Sequence, residues 1–170
     1  LGTFWSADHS LLRIIVDVFR RRSDWRLVIG LGGKSGTQQF NDVPDNVLVL
    51  DFAPQLAVLE HTDVVITHGG ITSINETIAA GAPLLVCSTS HVDQDGCAAR
   101  IQYHGLGISA DRSRITASKI ENHLQTLLND AGIRENVARM RERFEDYQSR
   151  NVAVKLVEEI LRKHRPDQAV

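Results

Sequence analysis

The sequence predicts an α/β domain built on a doubly wound parallel sheet. Short aliphatic runs alternate with segments of helical period along the chain. The runs are nearly continuous rather than alternating apolar with polar, as in strands buried on both faces of a parallel sheet. The chain has 170 residues, 42% of them hydrophobic and 24% charged. That suits one domain over 1–170, long enough to bury about two-thirds of its unfolded surface.

The elements follow in order. Leu11, Leu12, Ile15, Val16, Val18 and Phe19 keep helical spacing, so a helix is expected over 11–19, with Asp8 or Ser10 as its cap. Arg20, Arg21 and Arg22 then read as a solvated last turn complementing the helix dipole. Strands are expected over 25–30, 47–51, 63–67 and 83–87, each short and rich in Val, Leu and Ile. Helices are expected over 55–60, 72–80, 94–104 and 116–129, the last with Thr116 or Ser118 able to cap. Two further helices, over 134–148 and 152–163, carry mixed charges that read as solvated faces. No repeat, low-complexity tract or interdomain linker interrupts the pattern.

Composition excludes several classes of function. The 19 Lys and Arg against 21 Asp and Glu leave a net charge of −2, which argues against nucleic-acid binding. No run approaches the ~18 uninterrupted apolar residues of a membrane span, and no charged-then-apolar leader is present. Cys87 and Cys97 are too few for a disulfide framework, and no Cys/His cluster has zinc spacing. A cytoplasmic domain without a metal site is the expectation. The chain opens on Leu1-Gly2-Thr3 rather than Met, and is expected to be cut from something longer.

The residues that carry chemistry lie between Phe52 and Gln94. His68-Gly69-Gly70 sits where a buried strand gives way to a helix beginning near Thr72. Glycines there let backbone approach a ligand, and a helix N-terminus supplies free N–H groups and positive dipole. Thr72 and Ser73 add hydroxyls at the same turn, and the arrangement asks for a phosphate or pyrophosphate. Glu76, one turn further in, would repel that phosphate but suits the hydroxyls of a diol such as a ribose. His61 reads as structural.

Two other nucleotide-binding patterns fail on spacing. A phosphate-binding loop ending in Gly33-Lys34-Ser35 would need glycine at Val28, and 36–44 is too short and proline-bounded for its helix. A dinucleotide fingerprint starting at Gly30 and Gly32 would need glycine at Ser35.

His-Gly-Gly, then Ser73, then Glu76 eight positions after the His, with Pro54-Gln55 upstream and Asp93-Gln94 downstream, resembles the donor-binding signature of family 1 glycosyltransferases. These GT-B enzymes include plant, macrolide and carotenoid glucosyltransferases. Leu1-Gly2-Thr3 resembles the end of the strand that opens their C-terminal half, so the resemblance covers nearly the whole chain. It implies one Rossmann-like half of a GT-B enzyme, the half that binds a nucleotide-sugar donor.

The resemblance also implies roles. Phe52 falls where the family places an aromatic residue against the base, and Gln55 lies near the nucleotide. His68 contacts the pyrophosphate, with Gly69, Gly70, Thr72 and Ser73 around it and Thr3 near the same phosphates. Glu76 holds the ribose, and Asp93 and Gln94 hold the sugar hydroxyls as acceptor and donor. The donor would be a UDP- or TDP-sugar, with glucose the leading sugar and no metal or other cofactor required.

The chain departs from the family pattern in one place. Cys97 stands where the family has Asn, the usual loop proline is missing, and one extra residue separates His68 from Asp93. Residues 88–92, His91 included, are therefore expected to reshape the sugar pocket. No catalytic residue is expected in this chain, because the general base and the acceptor pocket of such inverting enzymes lie in an N-terminal half. The chain should bind nucleotide without turnover, and self-associate weakly through the apolar face that meets that half. The alternative is a stand-alone nucleotide-sugar binding subunit that works with a separate acceptor-binding partner.

Overall fold

The computed structural model describes residues 9–33, 37–90 and 93–164. Five parallel strands alternate with helices: α1 (His9–Arg21), β1 (Leu27–Gly30), β2 (Val47–Leu50), α2 (Gln55–Leu59), β3 (Val65–Thr67), α3 (Ile71–Ala80), β4 (Leu84–Val86), α4 (Gln94–Tyr103), β5 (Gly107–Ser109), α5 (Ala117–Asn129), α6 (Ala131–Ser149) and α7 (Val152–His164). Short 3-10 turns, Thr37–Phe40 and Arg112–Arg114, complete the described elements.

The expected parallel sheet is present as two blocks among the described residues. β1 pairs with β2, Leu27 opposite Val47, and β3, β4 and β5 pair in that order, with Leu84 opposite both Val65 and Gly107. The edges of β1 and β3 that face no described strand line a common cavity of about 1070 Å³.

Side-chain alternation along β4 explains the double winding. Leu85 and Cys87 point into a core shared with Leu12, Ile15 and Val16 of α1 and Ile120, Leu124 and Leu127 of α5. Leu84 and Val86 point the other way, into a core with Ile74 and Ile78 of α3, Ala98 and Ile101 of α4 and Val137 of α6. Burying a side chain of this size contributes about 1.5–3 kcal/mol, so β4 needs helices on both faces. The β1–β2 block differs: Ile29 and Val47 join the first core, while Val28 and Leu48 remain 41% and 53% exposed.

Several boundaries differ from the sequence expectation. The strand expected from residue 25 begins at Leu27, because the Asn46 amide donates to the carbonyl of Trp25 as well as to those of Phe19 and Arg22. Trp25 instead lies under the Arg22 guanidinium, 3.8 Å from its ring centre. The first helix is described from His9 onward, so Ser10 lies inside it; Asp8 falls outside the described residues.

Strand β5 was not expected. It has three residues and opens on glycine, so it lacks the aliphatic run that marks the others. A Cβ at Gly107 would stand 2.0 Å from the Leu84 carbonyl oxygen, which makes that glycine necessary. The sixth helix begins at Ala131 rather than at 134, because the Asp130 carboxylate caps it by accepting from the Ile133 N–H at 3.0 Å. The fifth helix is capped by Thr116, one of the two expected candidates. On α7, Leu156, Val157, Ile160 and Leu161 share one face and are all exposed.

Candidate functional site

Parallel strands deliver their following loops to one edge of a sheet, and ligands of such folds bind outside those carboxyl ends. Here the two blocks meet at that edge. Gln55, just after β2, donates to Glu76 Oε2 at 2.5 Å and to Ser73 Oγ at 3.4 Å, both on the helix that follows β3. The loops after β2, β3 and β4, with the helices α2, α3 and α4 that follow them, supply almost all the residues singled out in the sequence.

The turn between β3 and α3 is His68-Gly69-Gly70. Gly69 has φ +96°, and a Cβ there would meet Val86 Cγ1 at 3.1 Å and the Gln94 carbonyl oxygen at 3.3 Å. A side chain would be strained by the backbone and crowded by its neighbours. The Gly69 N–H donates to Thr67 Oγ1 at 3.2 Å, which fixes how the chain leaves the strand. A Cβ on Gly70 would lie 2.7 Å from His68 Nε2, so the imidazole folds back over the start of the helix.

Helix α3 begins at Ile71, one residue earlier than expected, with Gly70 as its N-cap residue and no side-chain cap. Thr72 and Ser73 therefore lie within the first turn, among N–H groups that have no intrahelical acceptor. Those donors and the positive end of the dipole make this helix start a candidate anion site.

Burial holds the His68 pKa below its ordinary value, and the negative charge of Asp93 works in the opposite direction. The ring is neutral near pH 7. Its Nδ1 is sealed from solvent with no hydrogen-bond partner among the described residues.

Glu76 lies one turn beyond the N-terminus of α3, held by Gln55. It is therefore displaced along the helix from the anion site, as its spacing implied. Phe52 is 79% exposed at the mouth of the cavity between the sheet blocks, which also reaches Gln55, Thr67 and Ser73.

Asp93 is the N-cap residue of α4 and Gln94 its first residue. Asp93 is exposed and close enough for its charge to act on His68. Gln94 is only 5% exposed, and its Oε1 accepts from Thr89 N at 3.0 Å and from Thr89 Oγ1 at 2.6 Å. Nothing in the sequence assigned Thr89 a part; its one signal was its place in a loop of unusual length. Thr3 and His91 lie outside the described residues. Burial pushes the Cys87 thiol up to about 12, so it packs as an inert apolar group. Among the described residues no group of three His, Cys, Asp or Glu converges on a metal position, and no helix is long and apolar enough to cross a membrane.

Known proteins resemble this chain in sequence and fold. Residues 20–160 match the family described as Erythromycin biosynthesis protein CIII-like, C-terminal domain. Demethyllactenocin mycarosyltransferase of Streptomyces fradiae is 36% identical over 141 residues, covering 83% of this chain and 30% of that protein. NDP-glycosyltransferase YjiC of Bacillus subtilis is 30% identical over 140 residues, covering 82% of this chain and 35% of that protein. The crystal structure of the calicheamicin glycosyltransferase CalG4 superposes with a TM-score of 0.88 at 25% identity, covering 96% of this chain and 42% of that one. The chain thus spans about a third of the length of the curated relatives it matches. Its fold is one Rossmann-like half of the GT-B architecture. The chain belongs to the erythromycin biosynthesis protein CIII-like C-terminal domain family of family 1 glycosyltransferases.

Proposed function

We propose that this chain is the nucleotide-sugar donor domain of an inverting glycosyltransferase. It takes a UDP- or TDP-sugar, with glucose the first sugar to test, and the full-length protein transfers that sugar to a hydroxyl of a small acceptor. The uncapped N-terminus of α3 behind the His68-Gly69-Gly70 turn carries this reading. Such a site neutralises a diphosphate with backbone donors, and the same donors stabilise the charge that develops as the diphosphate leaves. Glu76, kept in place by Gln55, is set back at a distance suited to a ribose diol. Phe52 offers an exposed ring to the base at the cavity mouth.

In this reading the donor binds without a metal ion, and the general base and acceptor pocket belong to the rest of the longer protein. The isolated chain then binds donor without turnover. Its exposed apolar residues, Val28, Leu48 and Phe52 among them, support weak self-association.

Calorimetric titration with UDP, TDP, NAD and ATP, with and without magnesium, tests the proposal. UDP or TDP should bind independently of magnesium. His68→Ala and Glu76→Ala should each weaken binding by about tenfold, the scale of a lost charge-assisted hydrogen bond. Binding of ATP only with magnesium, or a nucleotide affinity indifferent to both substitutions, would overturn it.

A further inference from the structure

We propose that Thr89 is a positioning residue that locks the Gln94 side chain as a hydrogen-bond donor toward the sugar of the bound nucleotide-sugar. The proposal rests on the donor-domain reading and adds to it how the sugar is read.

The geometry settles which way the Gln94 amide faces. The Thr89 backbone N–H can only donate, so the amide atom 3.0 Å from it is the oxygen. The Thr89 hydroxyl donates to the same oxygen at 2.6 Å. Both lone pairs of Gln94 Oε1 are thereby occupied, and Nε2 is left without a partner among the described residues. A glutamine amide can ordinarily accept or donate, but this one is restricted to donating.

The loop that imposes the restriction is itself tied down. Ser88 Oγ donates to Asp95 Oδ1 at 2.5 Å and accepts from the Ser90 N–H at 2.9 Å, while Ser90 turns the backbone at φ +59°. Residues 88–90 are thus bound to the first turn of α4 at two successive positions, Gln94 and Asp95. These hydroxyl ties hold residues 88–90 against the start of α4.

Gln94 packs against the turn after β3, beside which the donor-domain reading puts the sugar. Its carbonyl oxygen and Cβ stand 3.3 and 3.6 Å from where a Cβ on Gly69 would be, against the turn to which the donor-domain reading gives the diphosphate. A sugar on the far phosphate emerges beside that turn. Asp93 offers only acceptors and Gln94 only donors, so together they recognise a hydroxyl that gives its proton to Asp93 and accepts one from Gln94. A deoxygenated position forfeits both bonds.

The experiment compares the dissociation constants of UDP-glucose and UDP, or of the TDP pair if TDP binds more tightly, by calorimetry on this chain. Thr89→Val keeps the shape and the N–H but removes the hydroxyl. It should weaken UDP-glucose about fivefold, the worth of one hydrogen bond, and leave UDP within about twofold. Thr89→Ser should restore the wild-type ratio. Should Thr89→Val fail to fold, Thr89→Ala carries the same expectation, a loss confined to the sugar-bearing ligand. Equal weakening of both ligands, no change in either, or failure of Ser to restore the ratio would overturn the role of Thr89. Failure of wild-type protein to bind either nucleotide would instead overturn the donor-domain reading itself.

Discussion

Helices α3 and α6 begin in opposite ways. At α6 the Asp130 carboxylate accepts from the Ile133 N–H, satisfying a donor of the first turn within the protein. Thr116 does the same for α5 through the Lys119 N–H. At α3 the corresponding residue is Gly70, which has no side chain to cap with, and the first-turn donors stay open. A side-chain cap contributes about 1 kcal/mol to a helix. The one helix of the three that forgoes it starts beside His68 at the carboxyl end of the sheet, where those donors can be spent on a ligand.

The largest expected effect tests whether the α3 turn is shaped for that purpose. Gly69→Ala puts a side chain at φ +96° and drives its Cβ against Val86 and the Gln94 carbonyl. Strain of this kind costs about 1–3 kcal/mol, so urea denaturation should show a loss of that size. UDP affinity should fall at least about tenfold, since the turn must shift to relieve the contacts. Unchanged UDP affinity would break the comparison, because the turn would then serve only to join β3 to α3.

A smaller effect sharpens it from the other side. Asp130→Ala removes the α6 cap and should cost about 1 kcal/mol of stability in the same assay. It should leave UDP affinity untouched, because α6 shares a core with Ile74 and Ile78 of α3 through Val137, and the His68-Gly69-Gly70 turn is not part of that core. Any loss of nucleotide affinity in this variant would mean that the two helix starts are coupled.

The contrast between the two starts also explains what the sequence could disclose. Gln55 was singled out only through the family resemblance, whereas the His68-Gly69-Gly70 turn and the helix start behind it were legible because such features are local and written within a few residues. The same holds for β1 to β4, each marked by an aliphatic run. Strand β5 was missed because its identity lies in a tertiary contact, the Leu84 carbonyl that excludes any residue but glycine at 107. The bond from Gln55 to Glu76 spans 21 positions and joins the two sheet blocks, which no local pattern announces. The hold of Thr89 on Gln94 is short in sequence but depends on how the intervening loop turns.

The smallest effect concerns the protonation of His68, where the sign can be worked out. Burial keeps its folded-state pKa below the ordinary histidine value, so the unfolded chain binds the proton more readily. The free protein should therefore lose stability from this group as pH falls through about 6.5. A bound diphosphate reverses the balance, because its charge favours the imidazolium and raises the pKa in the complex. Binding then takes up a proton, and affinity should rise as pH falls from about 8 to 6, by about threefold for partial uptake. UDP-glucose is the ligand to use, since neither of its phosphates titrates in that range, whereas the terminal phosphate of UDP does. His68→Ala should flatten the profile. If the wild-type profile is already flat, His68 stays neutral in the complex, and the whole electrostatic task falls to the uncapped donors of α3.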